Sequence, residues 1–240
     1  MPTENQKPNI GETLNDFAQR NRRAIFIFFG MILALLAVFA GAQGILGASR
    51  NKALAAAEEF NRRYDTLRPD LADPSKSSDV SALLEDLNQF AEKTSGYAGG
   101  RVWAMIGSIH VEKQEWPEAE QAYASAAKAA AKTYLAATAF FNAAAAAEEQ
   151  GNAAGALDYY TQCAALADLF PPVDRARFAI GRLREEQGNI AEALEAYRQL
   201  TAGDSDSVWT NLARNRIIFL EMNETEETGG LETENEEGNS

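Results

Sequence analysis

The sequence has too few cysteines and histidines for disulfides within the chain and for the histidine-rich arrangements of zinc sites and most hydrolytic triads. Its 240 residues include one cysteine, Cys163, and one histidine, His110. One cysteine excludes an intramolecular disulfide, and one histidine excludes histidine-rich zinc sites. Ser108 near His110 has no carboxylate arranged in sequence to orient the histidine, and the Gly-Gly pairs at 99–100 and 229–230 lack the lysine of a phosphate loop. The composition therefore predicts a protein that is not an enzyme and holds no metal or cofactor.

Basic residues are also scarce. The chain has 22 Lys and Arg against 35 Asp and Glu, for a net charge of −13 at pH 7. A general nucleic-acid binder needs a basic face for the phosphates, so we expect no nucleic-acid partner. The acidity is strongest at residues 223–240, which hold seven glutamates and no basic residue. This composition predicts a disordered acidic tail, either a solubilising end or a docking tail for a basic partner.

Charge is absent between Arg23 and Arg50. The stretch 24–46, "AIFIFFGMILALLAVFAGAQGIL", is 23 residues long, and Gln43 is its one clearly polar member. A helix of this length, at about 1.5 Å per residue, spans the roughly 30 Å hydrocarbon core of a bilayer. A cleavable signal peptide is the alternative, because residues 40–42 resemble an A-x-A cleavage site. The acidic residues before the run and its continuation beyond residue 42 favour a transmembrane helix.

The orientation of this helix follows from what flanks it. Arg20, Arg22 and Arg23 precede it, but basic residues also follow it, so the positive-inside rule gives a slight preference for a cytoplasmic N-terminus. A short head before a first apolar segment and a large domain behind it are typical of a signal anchor. We expect the domain to lie outside the cytoplasm.

One ten-residue phrase is written twice, 37 positions apart. Residues 148–157 read "EEQGNAAGAL" and residues 185–194 read "EEQGNIAEAL". Writing the chain at this period aligns small residues and tyrosines in columns: Gly107, Ala144 and Gly181; Ala119, Ala156 and Ala193; Tyr123, Tyr160 and Tyr197. A period in the thirties with small and aromatic residues in fixed columns indicates an array of helical repeats.

These columns resemble tetratricopeptide repeats, whose units are pairs of antiparallel helices, although the period is longer than the usual ~34. We expect an all-α fold in which one transmembrane helix precedes an α-solenoid of about three 37-residue hairpins with flanking helices. Gly-Asn at 151–152 and 188–189 supplies a left-handed helix end between the two helices, and Gln114 replaces the glycine in the first copy. The tyrosine column is expected to pack towards the next hairpin, and the glutamates of the phrase to be solvated helix ends.

The chain is predicted to divide into five segments. They are a short cytoplasmic N-terminal segment, 1–23; the transmembrane helix, 24–46; a stalk helix and loop, 47–79; the tetratricopeptide-like domain, 80–222; and the acidic tail, 223–240. Apolar spacing predicts a helix at 80–94, and Trp209 and Leu212 lie on one face of a helix over 207–222 that caps the array.

In the tetratricopeptide family, one face of the first helix of each hairpin lines an inner groove. Transferred by register, this face includes Arg101, Ser108, Thr138, Phe141, Glu149, Arg175, Phe178 and Arg182. Phe141 and Phe178 lie off the packing column, so they either hold apolar side chains of a peptide or contact residues 68–94 folding back. The arginines could bind carboxylates, but Glu185 and Glu186 are near enough to pair with them.

The order of a charged head, "FAQRNRRAIF", one anchor helix, a stalk and a repeat domain resembles the YfgM-type family of bacterial inner-membrane proteins. The closest local stretch is "FAEKTSGYAGGRVWAMIGSIHVEKQEWPEAEQAY", and the acidic tail lies outside the resemblance. The resemblance implies a single-pass inner-membrane protein with a cytoplasmic N-terminus and a periplasmic domain. It further implies an ancillary subunit of the Sec translocon, beside a membrane-anchored periplasmic prolyl isomerase, that helps hand unfolded secreted chains to chaperones. A scaffold of another cell-envelope assembly, in division or outer-membrane biogenesis, is the alternative.

Overall fold

The structure, a computed structural model, describes residues 19–71, 73–131, 133–166, 172–203 and 206–237, with the backbone alone at 25, 172 and 224–237. Most of the predicted N-terminal segment, residues 1–18, therefore lies outside the described part. The chain divides into two units, residues 1–52 and 53–240.

The first unit contains the apolar part of helix α1, Arg22–Leu67. Within the described residues, this is the one helix long and apolar enough to cross a membrane, with a mean hydropathy of 2.7 over its most apolar window. None of that window is buried, and Phe26, for example, is 74% exposed. A helix in the core of a soluble protein would bury these side chains. Exposed apolar side chains on a helix of this length are typical of a membrane anchor or a signal sequence.

The second unit is built from helices alone among its described residues. The last fifteen residues of α1, 53–67, precede two 3₁₀ turns, Arg68–Asp70 and Pro74–Lys76. Eight further helices follow: α2 Ser77–Lys93, α3 Gly96–Glu112, α4 Trp116–Ala129, α5 Leu135–Glu149, α6 Ala153–Ala164, α7 Pro172–Glu186, α8 Ile190–Thr201 and α9 Val208–Glu237. The loop that ends the predicted segment 47–79 is shorter than expected, because the helix predicted at 80–94 already begins at Ser77.

Three helical hairpins form the array, α3–α4, α5–α6 and α7–α8, and α9 packs against the last of them. The all-α fold of tetratricopeptide-like hairpins behind a long apolar helix is thereby confirmed. In the first and third hairpins, the glycine of the small-residue column lies directly against the tyrosine of the same hairpin. A Cβ added at Gly107 would lie 2.8 Å from the Tyr123 ring, and one added at Gly181 would lie 2.4 Å from the Tyr197 ring. Glycine therefore lets the second helix of these hairpins press its tyrosine against the first.

The tyrosines also join neighbouring hairpins, as the sequence predicts. Tyr123 is buried in one cluster with Ala143 and Ala146, which belong to α5 of the next hairpin. Its ring thus packs against its own hairpin through Gly107 and against the following one through alanines.

The turn inside each hairpin has one residue in the left-handed region. Gly151 has φ +71°, Gly188 has φ +76°, and Gln114 has φ +59° at the equivalent place. The left-handed helix end predicted at Gly151 and Gly188 is confirmed, and the first copy has the same backbone conformation at Gln114, where no such end was predicted. In the first copy it is adopted by a residue with a side chain, which is strained there.

A buried cluster joins α1 and α2 to the first hairpin. Tyr64 of α1 and Leu83 and Leu87 of α2 pack with Val102 and Ile109 of α3. The stalk therefore ends as a packed part of the repeat domain, covering its first hairpin.

Helix α9 continues past the boundary at 222 that the sequence predicts for the folded domain. Leu220 is the last buried residue of α9 among the side chains that the structure describes. The backbone is helical to Glu237, and the disorder that the composition of 223–240 predicts stays a prediction. Glutamate is a good helix former, and the segment contains no proline to end the helix.

Candidate functional site

The candidate site is formed by three helices that follow one another along the array. Helices α5 and α7 open the second and third hairpins, and α9 takes the corresponding place after them. Phe141 of α5, Arg175 and Phe178 of α7, and Trp209 of α9 lie together and are named here the Arg175 cluster. Two predicted groove phenylalanines and one predicted arginine are thus brought into contact.

Aromatic rings hold the Arg175 guanidinium on two sides. Its central carbon lies 4.6 Å from the centroid of the Phe141 ring and 5.4 Å from that of Trp209. Such cation–π contacts orient an arginine without using its N–H donors. Arg175 is exposed, and none of the ion pairs among the described residues includes it. Among the residues that the structure describes, the cluster therefore presents a positive charge whose N–H donors are not used in an ion pair.

The two phenylalanines are half-buried, and each packs against a tyrosine of the repeated column. The Phe141 ring centroid is 5.3 Å from that of Tyr160, and the Phe178 centroid is 5.5 Å from Tyr197 and 5.6 Å from Trp209. These contacts replace the expected alternative of residues 68–94 folding back over the phenylalanines. Sequence reasoning missed Trp209 as a site residue, because its position marks it equally well as the apolar face of a capping helix.

An ordered polar network lies beside the cluster. The Tyr160 hydroxyl donates a 2.6 Å hydrogen bond to Glu148, and Arg182 donates to Glu148 and, at 2.7 Å, to Glu186. Burial, followed by the hydrogen bond to Glu148, raises the pKa of Tyr160. Arg182 is therefore held by carboxylates, as its spacing predicts, and links α7 to α5.

The same network recurs one hairpin later. The Tyr197 hydroxyl donates to Glu185 at 3.1 Å, and Arg216 of α9 donates to the same carboxylate. Burial raises the pKa of Tyr197 to about 12. The expectation that the glutamates of the repeated phrase are solvated is wrong for its first position. Glu148 and Glu185 are only 23% and 19% exposed, because tyrosine and arginine enclose them.

The residues that follow them in the phrase are exposed. Glu149, a predicted groove residue, lies in solvent at the end of α5, and Glu186 is also exposed. Thr138 is half-buried on α5, three residues before Phe141. Both predicted positions lie on α5, but the ring and cation–π contacts described for the Arg175 cluster include neither of them.

The two predicted groove residues of the first hairpin are engaged elsewhere. Arg101 pairs with Glu58 of α1 at 3.2 Å. The Ser108 hydroxyl lies 3.0 Å from the Ala104 carbonyl and 3.1 Å from the Tyr123 hydroxyl. Arg101 and Ser108 thus differ from Arg175, because their polar groups are already bound by other side chains of the same domain.

His110 and Cys163 contact groups of the fold itself. His110 Nδ1 lies 2.7 Å from the Glu115 carboxylate, a partner that the sequence analysis missed. Burial raises the pKa of Glu115, but hydrogen bonds from Lys113 and His110 outweigh burial and lower it overall. Cys163 is fully buried, and burial raises the pKa of its thiol to about 11. The residues that the structure describes contain no group of three or more His, Cys, Asp or Glu that could hold a metal ion.

Comparison with known proteins finds similar sequences and similar structures. No protein-family profile matches the chain. The chain is 31% identical over 221 residues to a TPR repeat-containing protein of Treponema pallidum (strain Nichols), covering 86% of this chain and 92% of that protein. The Arabidopsis OM64 TPR domain superposes with a TM-score of 0.40 at 21% identity, over 49% of this chain and 93% of that domain. The apo form of RapI gives a TM-score of 0.48 at 13% identity, over 78% of each chain.

Proposed function

Because the chain belongs to the family of tetratricopeptide (TPR) repeat-containing proteins, we propose that it is a protein–protein interaction scaffold whose partner binds across α5, α7 and α9. Repeat arrays bind through the extended surface that successive repeats create. The observation that carries the proposal is the exposed Arg175 guanidinium held between Phe141 and Trp209.

The chemistry of the cluster limits the partner to a segment with a carboxylate beside an apolar side chain. The arginine fork matches a carboxylate with two parallel hydrogen bonds. Phe178 and Trp209 offer half-buried aromatic surface next to it. Because aromatic stacking already orients Arg175, binding loses little of the side-chain entropy that a free arginine would lose.

The apolar stretch 24–46 of α1 serves as a membrane anchor in this proposal. Its length matches the hydrocarbon core, and its apolar side chains are exposed as a lipid-facing helix requires. Intact-mass measurement of the protein from isolated membranes distinguishes anchor from signal sequence. We expect the full-length mass, and a mass corresponding to a start after residue 42 would contradict the anchor.

The finer function that we propose is that of an ancillary subunit of the Sec translocon on the periplasmic side of a bacterial inner membrane. It is supported by the order of segments, which resembles the YfgM-type family. An anchor beside the exit of secreted chains raises the effective concentration of the groove for them. In this role the scaffold hands unfolded chains to periplasmic chaperones and lies beside a membrane-anchored prolyl isomerase.

Purification in mild detergent followed by mass spectrometry tests this function. We expect translocon subunits and the isomerase to co-purify with the full-length protein. Recovery of division or outer-membrane biogenesis proteins instead would favour the alternative envelope scaffold. Protease treatment of intact spheroplasts tests the topology: digestion of the repeat domain is expected, and its survival would contradict a periplasmic location.

The groove is tested separately by reversing one charge. Arg175→Glu is expected to lower crosslinking to the co-purified partner at least tenfold, since the carboxylate it meets becomes a repulsive neighbour. Lys128→Glu on α4 is the matched control, because Lys128 is exposed on a second helix of a hairpin, away from the cluster. Equal crosslinking by the two variants, with unchanged helicity, would contradict binding at the Arg175 cluster. It would not contradict the proposal that the protein is a membrane-anchored scaffold.

A further inference from the structure

An apolar stripe runs along the outer face of α9. The stripe residues, spaced four, three, four and three positions apart, are Val208, Leu212, Asn215, Phe219 and Met222. All five are exposed, and the apolar ones range from 39% at Leu212 to 63% at Val208. The opposite face of the helix carries Ala213 and Leu220, which are buried in the core.

This stripe is unusual for the end of a repeat array, where the outer face of the last helix is normally polar. Together with the adjacent exposed Ile218, the apolar stripe residues leave roughly 500 Å² of apolar surface uncovered in one copy, as large as patches that mark interaction sites. Two such surfaces facing each other bury at most about 1,000 Å² of apolar area, which is the lower limit for a biological interface and corresponds to a weak dimer.

The spacing of the stripe fits another helix. Alternation of four and three is the spacing of the a and d positions of a coiled coil. The two ends of the stripe are symmetric about Asn215, since Val208 and Met222 each lie seven residues from it, while Leu212 and Phe219 lie three and four residues from it. In an antiparallel pair of α9 helices, Val208 of one copy lies against Met222 of the other, and the two Asn215 side chains meet at the centre. An asparagine amide both donates and accepts hydrogen bonds, so two copies satisfy each other.

Charge selects the antiparallel orientation over the parallel one. Residues 223–240 follow the stripe with seven glutamates and no basic residue. A parallel pair would place the two acidic segments side by side, whereas an antiparallel pair directs them to opposite ends. We propose that α9 is a homodimerisation helix, and that the stripe binds the stripe of a second copy of this chain in antiparallel orientation.

Mass measurement of the full-length protein in detergent, by light scattering after size exclusion, tests the dimer. The protein mass is expected to be twice that of the monomer, and Leu212→Glu together with Phe219→Glu is expected to halve it. Arg214→Glu is the control, because Arg214 is exposed on α9 outside the stripe. A monomeric mass for the unchanged protein overturns the proposal, including the case where another segment or another protein covers the stripe.

Disulfide crosslinking tests the orientation without disturbing the fold. Asn215→Cys is expected to give a covalent dimer under mild oxidation, while the buried Cys163 of the unchanged protein gives none. A mixture of Val208→Cys and Met222→Cys chains is expected to crosslink, whereas Met222→Cys alone is not. Failure of Asn215→Cys to crosslink overturns the dimer, and a dimer of Met222→Cys alone overturns the antiparallel orientation.

Discussion

The first hairpin and the two that follow have one backbone plan and different surroundings. In the first, α1 covers the leading helix, and Arg101 and Ser108 are bound to Glu58 and Tyr123. In the second and third, the corresponding helices have no such cover among the described residues, and Arg175 is exposed between aromatic rings. The same repeated framework is therefore covered at one end, and at the other end it leaves exposed the Arg175 cluster that we propose as a binding surface.

The polar contacts of the tyrosine column differ in the same way. Tyr123 shares a hydrogen bond with the Ser108 hydroxyl, since Val111 stands where the later copies have a glutamate. Tyr160 and Tyr197 donate to the carboxylates of Glu148 and Glu185. A buried tyrosine beside a carboxylate is more sensitive to alkaline pH than one beside a hydroxyl.

The largest expected difference between the first hairpin and the later two is their loss of stability at alkaline pH. Burial raises the folded-state pKa of Tyr197 to about 12, and that of Tyr160 is raised as well. The unfolded value is about 10, so their contribution to stability is intact below pH 10 and is lost as pH rises through the folded-state values. Circular dichroism and tyrosinate absorbance should therefore show helix loss and tyrosine ionisation together above about pH 10.

The matched variants are Tyr160→Phe and Tyr123→Phe. Tyr160→Phe removes the hydroxyl that becomes charged beside Glu148, so it should reduce the alkaline sensitivity more than Tyr123→Phe does. Equal responses of the two variants would show that burial alone, and not the neighbouring carboxylate, distinguishes the hairpins.

A smaller effect is expected from removing one carboxylate of the network. Glu148→Ala leaves the Tyr160 hydroxyl and Arg182 without their shared acceptor, and should lower the free energy of unfolding by about 1–2 kcal/mol. Glu149→Ala removes the exposed neighbour and should change it by less than about 0.5 kcal/mol. Denaturant unfolding followed by circular dichroism measures both, and similar values would mean that the network adds no stability.

The smallest expected effect concerns the turns. Gln114→Gly should raise the free energy of unfolding by about 1 kcal/mol, because it relieves a side chain at φ +59°. Gly151→Ala introduces the same strain into the second hairpin and should lower it by about 1 kcal/mol. Thermal unfolding of the two variants checks the opposite signs. A destabilising Gln114→Gly would mean that the side chain contributes more than the strain costs.

The sequence predicts the fold correctly at positions that have the same structural role in each repeat. The column of Gly107 and Gly181 predicts close helix approach, and Gly151 and Gly188 predict the left-handed helix ends. These features are local to a hairpin, so the spacing of residue types along the chain is enough to locate them.

Contacts between hairpins were harder to predict. Glu148 and Arg182 are 34 residues apart, and Glu185 and Arg216 are 31 apart, so neither pair follows the 37-residue period. Which of two adjacent glutamates turns inward depends on how neighbouring helices cross. The covering of Arg101 by α1 and the approach of Trp209 to Arg175 depend on the same long-range packing.

The ion pairs of Arg182 and Arg216 have a mechanical consequence for recognition. They tie α5 to α7 and α7 to α9, the three helices that carry the Arg175 cluster. Widening or narrowing the groove changes the superhelical curvature and so moves these three helices apart. A partner that needed another groove width would therefore have to break the two ion pairs. The spacing between the aromatic rings is thus set before a partner binds, and in the function that we propose the groove selects segments whose length already matches this spacing.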